Sequence, residues 1–235
     1  MTGPVGLWPE SADDGYREAR TELWHAERNL RDALEAVARA RRALPPGALL
    51  EDYPLREGPD DPGLDEPERV LGLVDLFGEH DTLVVYHLMF APGAREGCRM
   101  CSMWVDGLHG VSHHLARHTA FAVVAEAGVP ELRAWGRRRG WDGLRLVSAG
   151  GTSFGRDLGA VHEDGSLRPG LSVLRRDGDG VRHFYTAFAD WTGEDGERGI
   201  DLYSPVWQVL DLLPQGRGSW YAANDYAGRL RGDRR

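Results

Sequence analysis

The residues that decide the fold are 82–101. Residues 82–90, TLVVYHLMF, form an apolar run rich in β-branched side chains, which predicts a buried strand. A loop with proline and glycine follows, and then residues 98–101, CRMC, hold the only 2 cysteines among 235 residues. A helix is predicted over roughly 98–117. Strand, loop and Cys-x-x-Cys at a helix start predict a redox-active dithiol.

The segments downstream of the cysteines alternate between strand-like and helix-like patterns. Strands are predicted at 121–125 and 144–148, with a helix from Pro130 to about 139 between them. Two further strands flank the turn sequence DGDG, and a last helix is predicted at about 203–212. This order favours a parallel central sheet with an added hairpin. The predicted fold class is α/β, a thioredoxin-like sheet flanked by helices.

The N-terminal part of the chain has a different character. Residues 12–44 predict one long amphipathic helix, because its large apolar residues fall seven, four, three and seven apart: Leu23, Leu30, Leu34, Val37 and Leu44. We therefore divide the chain into a helical extension at 1–50, a linker or loop at 51–69 and a thioredoxin-like domain at 70–230. The helix is either a homodimerisation arm or packs on its own domain.

Composition limits the function classes. The formal charge of −9 argues against binding to nucleic acid or to anionic membranes. No apolar run is long enough to span a bilayer, and the first residues lack the pattern of a secretory signal, so the expected location is cytoplasmic. In that compartment two cysteines indicate catalysis, redox sensing or metal binding more than a structural disulfide.

Several motifs together resemble one protein family. They are residues 40–45, 75–77, 85–90, 97–102 with Trp104 and Asp106, 140–141, 170–173, 183–185, 210–212 with Pro214, Gly216 and Arg217, and 220–226. Their order and spacing are similar to those of the thioredoxin-like proteins of domain-of-unknown-function family 899 (DUF899). The resemblance covers roughly residues 17–226. It implies a thioredoxin- or peroxiredoxin-like fold and the activity of a dithiol–disulfide oxidoreductase, but it does not imply a particular substrate. The chain departs from the family pattern at Leu88 (usually Phe), Arg99 (usually Pro) and Asn224 (usually His).

The spacing of the cysteines suggests a division of roles. Cys98 lies at the predicted helix N-terminus, where the helix dipole favours a thiolate, and we expect it to be the nucleophile. Cys101, one turn later, is the expected resolving thiol. Arg95 and Arg99 should support the thiolate, and Asp106 is either a proton acceptor for Cys101 or a helix-surface carboxylate. The substrate would be a protein or small-molecule disulfide or thiol, and no cofactor is needed.

Metal binding is the alternative function. Cys98 and Cys101 are soft ligands, and His87 or His183 would complete a copper or zinc site. The two histidines fall on neighbouring predicted strands, which brings them near each other. The competing interpretation is that each is a hydrogen-bonded core residue. A peroxidase is less favoured, because the hydroxyl residue expected three positions before the reactive cysteine is Arg95.

Overall fold

The computed structural model describes residues 6–59, 64, 67–189 and 201–226. The chain divides into two compact units, Met1–Pro45 and Pro46–Arg235. The first unit is built on α1 (Asp14–Arg42), which begins where the Asp13 side chain accepts a 2.7 Å hydrogen bond from the backbone N–H of Tyr16. None of the side chains of α1 is buried.

The second unit is a mixed α/β structure. Within its described residues, the strands are β1 (Leu55–Glu57), β2 (Arg69–Leu71), β3 (Thr82–His87), β4 (Ala120–Ala125), β5 (Arg145–Ser148), β6 (Gly170–Asp177) and β7 (Gly180–Phe188). The helices are α2 (Arg99–Leu115), α3 (Val129–Arg139), α4 (Phe154–Asp157) and α5 (Pro205–Leu210), with 3-10 turns at Leu73–Phe77 and Asp201–Tyr203. Among all described residues, no helix combines the length and apolar character that crossing a bilayer requires.

All seven strands join one sheet in the order β2-β1-β5-β4-β3-β6-β7. The three central neighbours β5, β4 and β3 are parallel, while β6 and β7 form an antiparallel hairpin beside β3. A parallel β-α-β core with an antiparallel hairpin added next to the strand that precedes Cys-x-x-Cys is the thioredoxin-like arrangement. The predicted fold class is therefore confirmed, and the helix after the cysteines is also present.

Successive side chains along β3 point to opposite faces of the sheet, and each face has its own hydrophobic core. Tyr86 packs on one face with Cys101 and Trp135, while Leu83 and Val85 pack on the other. The first face is covered by α2 and α3 and also receives the buried Trp207 of α5. The dithiol and the aromatic side chains of these helices therefore share one core.

The segment 51–69, predicted as a linker or loop, contains the three-residue strand β1. β1 pairs antiparallel with both β2 and β5. The charged Glu57 is 1% exposed and forms ion pairs with Arg145 at 2.6 Å and Arg69 at 2.5 Å. Because the neighbouring residues are rich in Pro, Asp and Glu, a strand that buries an ion-paired carboxylate is not visible as an apolar pattern.

Candidate active site

Cys98 occupies the N-cap position of α2. Its backbone N–H donates a 2.9 Å hydrogen bond to the carbonyl of Met89, which ties the start of the helix to the chain leaving β3. A side chain on the preceding residue would be tightly packed, since a Cβ on Gly97 would lie 3.0 Å from the indole nitrogen of Trp135. The sequence therefore brings the thiol to the end of the central strand, at the free N–H groups of a 17-residue helix.

The two thiols are free and differ in their surroundings, because Cys98 is partly exposed and Cys101 is buried. A hydrogen bond from the Cys101 thiol, with help from backbone N–H groups and the Arg99 charge, lowers the pKa of Cys98 to about 6. The same hydrogen bond, together with burial, raises the pKa of Cys101 well above its usual range. The arrangement favours a thiolate at Cys98 and a protonated thiol at Cys101 near neutral pH.

A buried hydrogen-bond chain fixes the first turn of α2. The Ser102 hydroxyl donates to the Cys98 carbonyl at 3.0 Å, and the indole N–H of Trp135 in α3 donates to that hydroxyl at 3.1 Å. Ser102 is fully buried, so the chain is protected from water. Sequence analysis missed both residues as part of the site, although Ser102 directly follows the motif.

A cavity of about 280 Å³ opens beside the thiols. Its lining is Tyr86, Met89, Cys98, Met100, Cys101, Trp104, Pro169, Ala189, Trp207 and Tyr221. The Tyr86 hydroxyl is completely buried and interacts with the Cys101 thiol. Burial, followed by the two neighbouring thiols, raises the pKa of Tyr86 well above its usual range, so this group is a persistent proton donor.

The charged residues around Cys98 play different parts. Arg99 contributes to the lowered pKa of Cys98, and its guanidinium carbon lies 4.6 Å from the centre of the Tyr221 ring. Arg95 is exposed in the loop before the motif. Glu96 forms an ion pair with Arg138, whose guanidinium contacts its carboxylate at 2.6 Å.

Asn224, where the family pattern has histidine, is close to the motif. Its amide nitrogen donates to the carbonyl of Gly97 at 3.3 Å and to the carboxylate of Glu96 at 2.9 Å. The C-terminal segment that carries Asn224 also supplies Tyr221 to the cavity wall. The family departures at Arg99 and Asn224 therefore both lie at the candidate site.

The structure does not bring Asp106 to Cys101. At about 100° per residue, a separation of five residues places it about 140° around α2 from Cys101. The Asp106 carboxylate instead forms an ion pair with Arg139 of α3 and accepts a 2.7 Å hydrogen bond from the indole of Trp141. Asp106 therefore links α2 to the C-terminal end of α3 and to the residues that follow it.

The two histidines of the metal hypothesis lie away from the cysteines. His87 follows Val85 on the face of the sheet opposite to Cys101 and packs against Phe154. It is linked to His183 through the hydroxyls of Ser172 and Thr186, by contacts of 2.8, 2.7 and 2.7 Å. Among the residues that the structure describes, no group of three or more His, Cys, Asp or Glu side chains is placed to hold a metal ion.

The chain matches one protein family over nearly its whole length. Residues 9–230 match the family described as "Bacterial protein of unknown function (DUF899)". No curated protein matches the chain.

Solved structures with a similar arrangement have low sequence identity. Reduced Prx3 from Vibrio vulnificus in complex with H2O2 is 14% identical, with 65% of this chain and 92% of that chain covered and a TM-score of 0.44. AhpC from Enterococcus faecalis is 14% identical, with 71% and 94% covered and a TM-score of 0.47. Reduced 2-Cys peroxiredoxin from Plasmodium vivax is 9% identical, with 68% and 96% covered and a TM-score of 0.43. The strand order of the sheet identifies the fold independently of these similarities.

Proposed function

Because the chain belongs to the DUF899 family, whose description states no activity, we propose from the site itself that it is a thiol–disulfide oxidoreductase with Cys98 as nucleophile and Cys101 as resolving thiol. The observation that carries the proposal is the contrast between the thiols. Cys98 has a pKa of about 6 at a helix N-cap, while its buried partner one turn away keeps its proton. Such a pair suits a nucleophile that acts first and a thiol that acts second.

The proposed reaction has two exchange steps. In the first, the Cys98 thiolate attacks one sulfur of a substrate disulfide, a new S–S bond joins Cys98 to that half, and the other half leaves as a thiolate that takes a proton from water. In the second, Cys101 loses its proton and attacks the Cys98 sulfur. The Cys98–Cys101 disulfide forms, and the second half leaves as a thiol. One substrate disulfide is reduced to two thiols while the protein dithiol is oxidised, and a dithiol reductant restores it.

A single-turnover experiment tests this assignment. The reduced wild-type protein is mixed with bis(2-hydroxyethyl) disulfide, and the denatured intact mass is measured over time, with near-ultraviolet circular dichroism as a check on folding. We expect the wild-type mass to fall by two hydrogens, the Cys101→Ser protein to stop as a mixed disulfide on Cys98, and the Cys98→Ser protein to remain unmodified on the same time scale. Wild-type reaction rates in Cys98→Ser would refute the assignment.

No observation on the described residues favours the metal-binding alternative. A site with Cys98 and Cys101 needs further ligands, and His87 faces the other side of the sheet. Each of the two histidines also uses one ring nitrogen, Nε2, on a hydroxyl: His87 on Ser172 and His183 on Thr186. Oxidoreductase chemistry needs only the two thiols that the helix start already holds together.

We further propose that α1 mediates homodimerisation. Large residues recur every seven positions, and alanines recur three positions after them: Tyr16, Leu23, Leu30 and Val37, with Ala19, Ala26, Ala33 and Ala40. A seven-residue repeat is the pattern of a coiled-coil seam, and alanines allow a second helix to approach closely. Leu23 and Leu30 are 51% and 59% exposed. A second copy of the same helix, about 44 Å long, presents a matching seam.

A further inference from the structure

We propose that the cavity beside Cys98 selects an uncharged, apolar low-molecular-weight disulfide, with the half that bonds to Cys98 seated among its aromatic and thioether side chains. This inference rests on the oxidoreductase function proposed above and names the substrate class of that site. Five separate parts of the chain enclose the cavity: the end of β3, α2, the residue before β6, the residue after β7, and the C-terminal segment with α5. Enclosure from several sides favours a small molecule over the flat surface of a protein.

The volume sets the size of the ligand. An engineered cavity of about 150 Å³ binds benzene. At about 280 Å³, the cavity next to Cys98 is nearly twice as large. It has room for about two aromatic rings, or one ring with a short chain. A peptide-sized disulfide would have to leave most of its bulk outside.

The lining sets the polarity of the ligand. Apart from the Cys98 thiolate, none of the lining side chains carries a charge at neutral pH. A carboxylate placed there would lose its hydration without gaining a cationic partner in the lining, which is unfavourable. Arg99, the nearby cation, stacks on the Tyr221 ring at 4.6 Å and is not part of the lining. Neutral disulfides are therefore favoured over disulfides that carry carboxylates.

Paired reagents test the charge preference. The Cys101→Ala protein, which has only Cys98, is mixed in a stopped-flow instrument with neutral 4,4′-dithiodipyridine or with 5,5′-dithiobis(2-nitrobenzoate), which carries carboxylates. Each rate is divided by the rate of the same reagent with 2-mercaptoethanol thiolate. We expect the normalised rate to favour the neutral reagent by about tenfold or more, which corresponds to about 1.4 kcal/mol. Equal normalised rates would overturn the proposal.

A filling substitution tests the location. Ala189→Phe places a ring in the cavity and should slow 4,4′-dithiodipyridine at least about tenfold, while the smaller bis(2-hydroxyethyl) disulfide is less affected. Val209→Phe is the matched control, because Val209 lies on α5 but is 57% exposed and outside the cavity. Equal effects of Ala189→Phe and Val209→Phe on both disulfides would overturn the assignment of the cavity.

Ligand binding to a variant that cannot perform thiol exchange tests the cavity assignment separately from the proposed oxidoreductase function. Calorimetry with the Cys98→Ser protein uses benzhydrol, a neutral two-ring alcohol, and diphenylacetate, its anionic counterpart. Benzhydrol should bind, diphenylacetate should not, and Ala189→Phe should abolish binding. If benzhydrol binds but wild type performs no exchange, the cavity assignment stands and the oxidoreductase fails. If wild type performs exchange but benzhydrol does not bind and both aromatic reagents react alike, the cavity assignment fails and the oxidoreductase stands.

Discussion

Cys101 acts on Cys98 before any disulfide forms, because its thiol donates the hydrogen bond that contributes most to the low pKa of Cys98. We expect Cys101→Ala to raise the pKa of Cys98 from about 6 toward the usual range of a free thiol, about 8.5. The rate of iodoacetamide alkylation against pH gives this midpoint directly. Arg99→Ala is the comparison, with a smaller rise, since the Arg99 charge is the weakest of the contributions named above. An unchanged midpoint in Cys101→Ala would contradict the assigned hydrogen bond.

His87 makes stability depend on pH, because burial, followed by the neighbouring His183, lowers the pKa of His87 to about 4. In the unfolded chain this pKa is about 6.5, so the unfolded state binds more protons between pH 4 and 6.5. The stability that His87 contributes is complete above pH 6.5 and is lost, by about 3 kcal/mol, as the pH falls toward 4.

His87→Gln keeps a side-chain partner for Ser172 but cannot be protonated in this range. Urea unfolding at several pH values should show a shallower loss of stability than in wild type. The residual slope reports His183, whose pKa is also lowered by burial, and other groups. Identical slopes in the two proteins would show that His87 does not stay neutral in the fold.

The seam of α1 gives an element-scale prediction. Leu30→Lys places a charge in the centre of the proposed helix–helix interface and should convert the dimer to a monomer in sedimentation equilibrium. Glu35→Lys introduces the same side chain on the opposite side of α1 and should leave the dimer intact. A monomeric wild type, or equal behaviour of the two variants, would reject homodimerisation through α1.

Asp106 connects two elements, since its carboxylate on α2 contacts Arg139 of α3 and Trp141 just beyond it. Asp106→Asn keeps an oxygen for the indole but removes the charge, and we expect a loss of about 1 kcal/mol in the free energy of unfolding. The rate at which Cys101 resolves a mixed disulfide on Cys98 should stay as in wild type after correction for the folded fraction. A slower resolution step with unchanged stability would instead support the proton-acceptor role.

At the scale of the whole molecule, local pattern was enough to predict the five strands β3 to β7 and the helix that starts at Cys98. Three elements can be recognised from residues adjacent in sequence: the apolar run at β3, the turn of the β6–β7 hairpin and the helix that begins near Pro130. The misses depend on contacts distant in sequence. β1 is stabilised by Glu57 pairing with Arg145, 88 residues later, which no local pattern reveals. The cavity likewise needs Tyr221 and Trp207, which reach the thiols only through the folded C-terminal segment.

The redox state of the pair should change the stability of the whole domain in a pH-dependent way. In the dithiol form, the pKa of Cys98 is about 6 in the folded chain and about 8.5 in the unfolded chain, so the folded state binds fewer protons between these values. The free energy of unfolding of the dithiol form therefore gains a contribution that is present above pH 8.5 and is lost as the pH falls through 6. The disulfide form has no thiol to titrate. Cys101 contributes little below its unfolded pKa of about 8.5, because its pKa in the folded chain is raised above that value.

Urea unfolding of the two forms across pH 6 to 8.5 measures the effect. We expect the stability of the dithiol form relative to the disulfide form to rise across this range, by on the order of 2 kcal/mol once solvent screening of the partly exposed thiol is allowed for. Reduced Cys98→Ser lacks the titrating group and should not show the rise. Parallel pH curves for the two wild-type forms would contradict the low pKa of Cys98. If the dithiol form gains stability relative to the disulfide form as the pH rises, the disulfide also becomes a stronger oxidant, because folding then favours the reduced state.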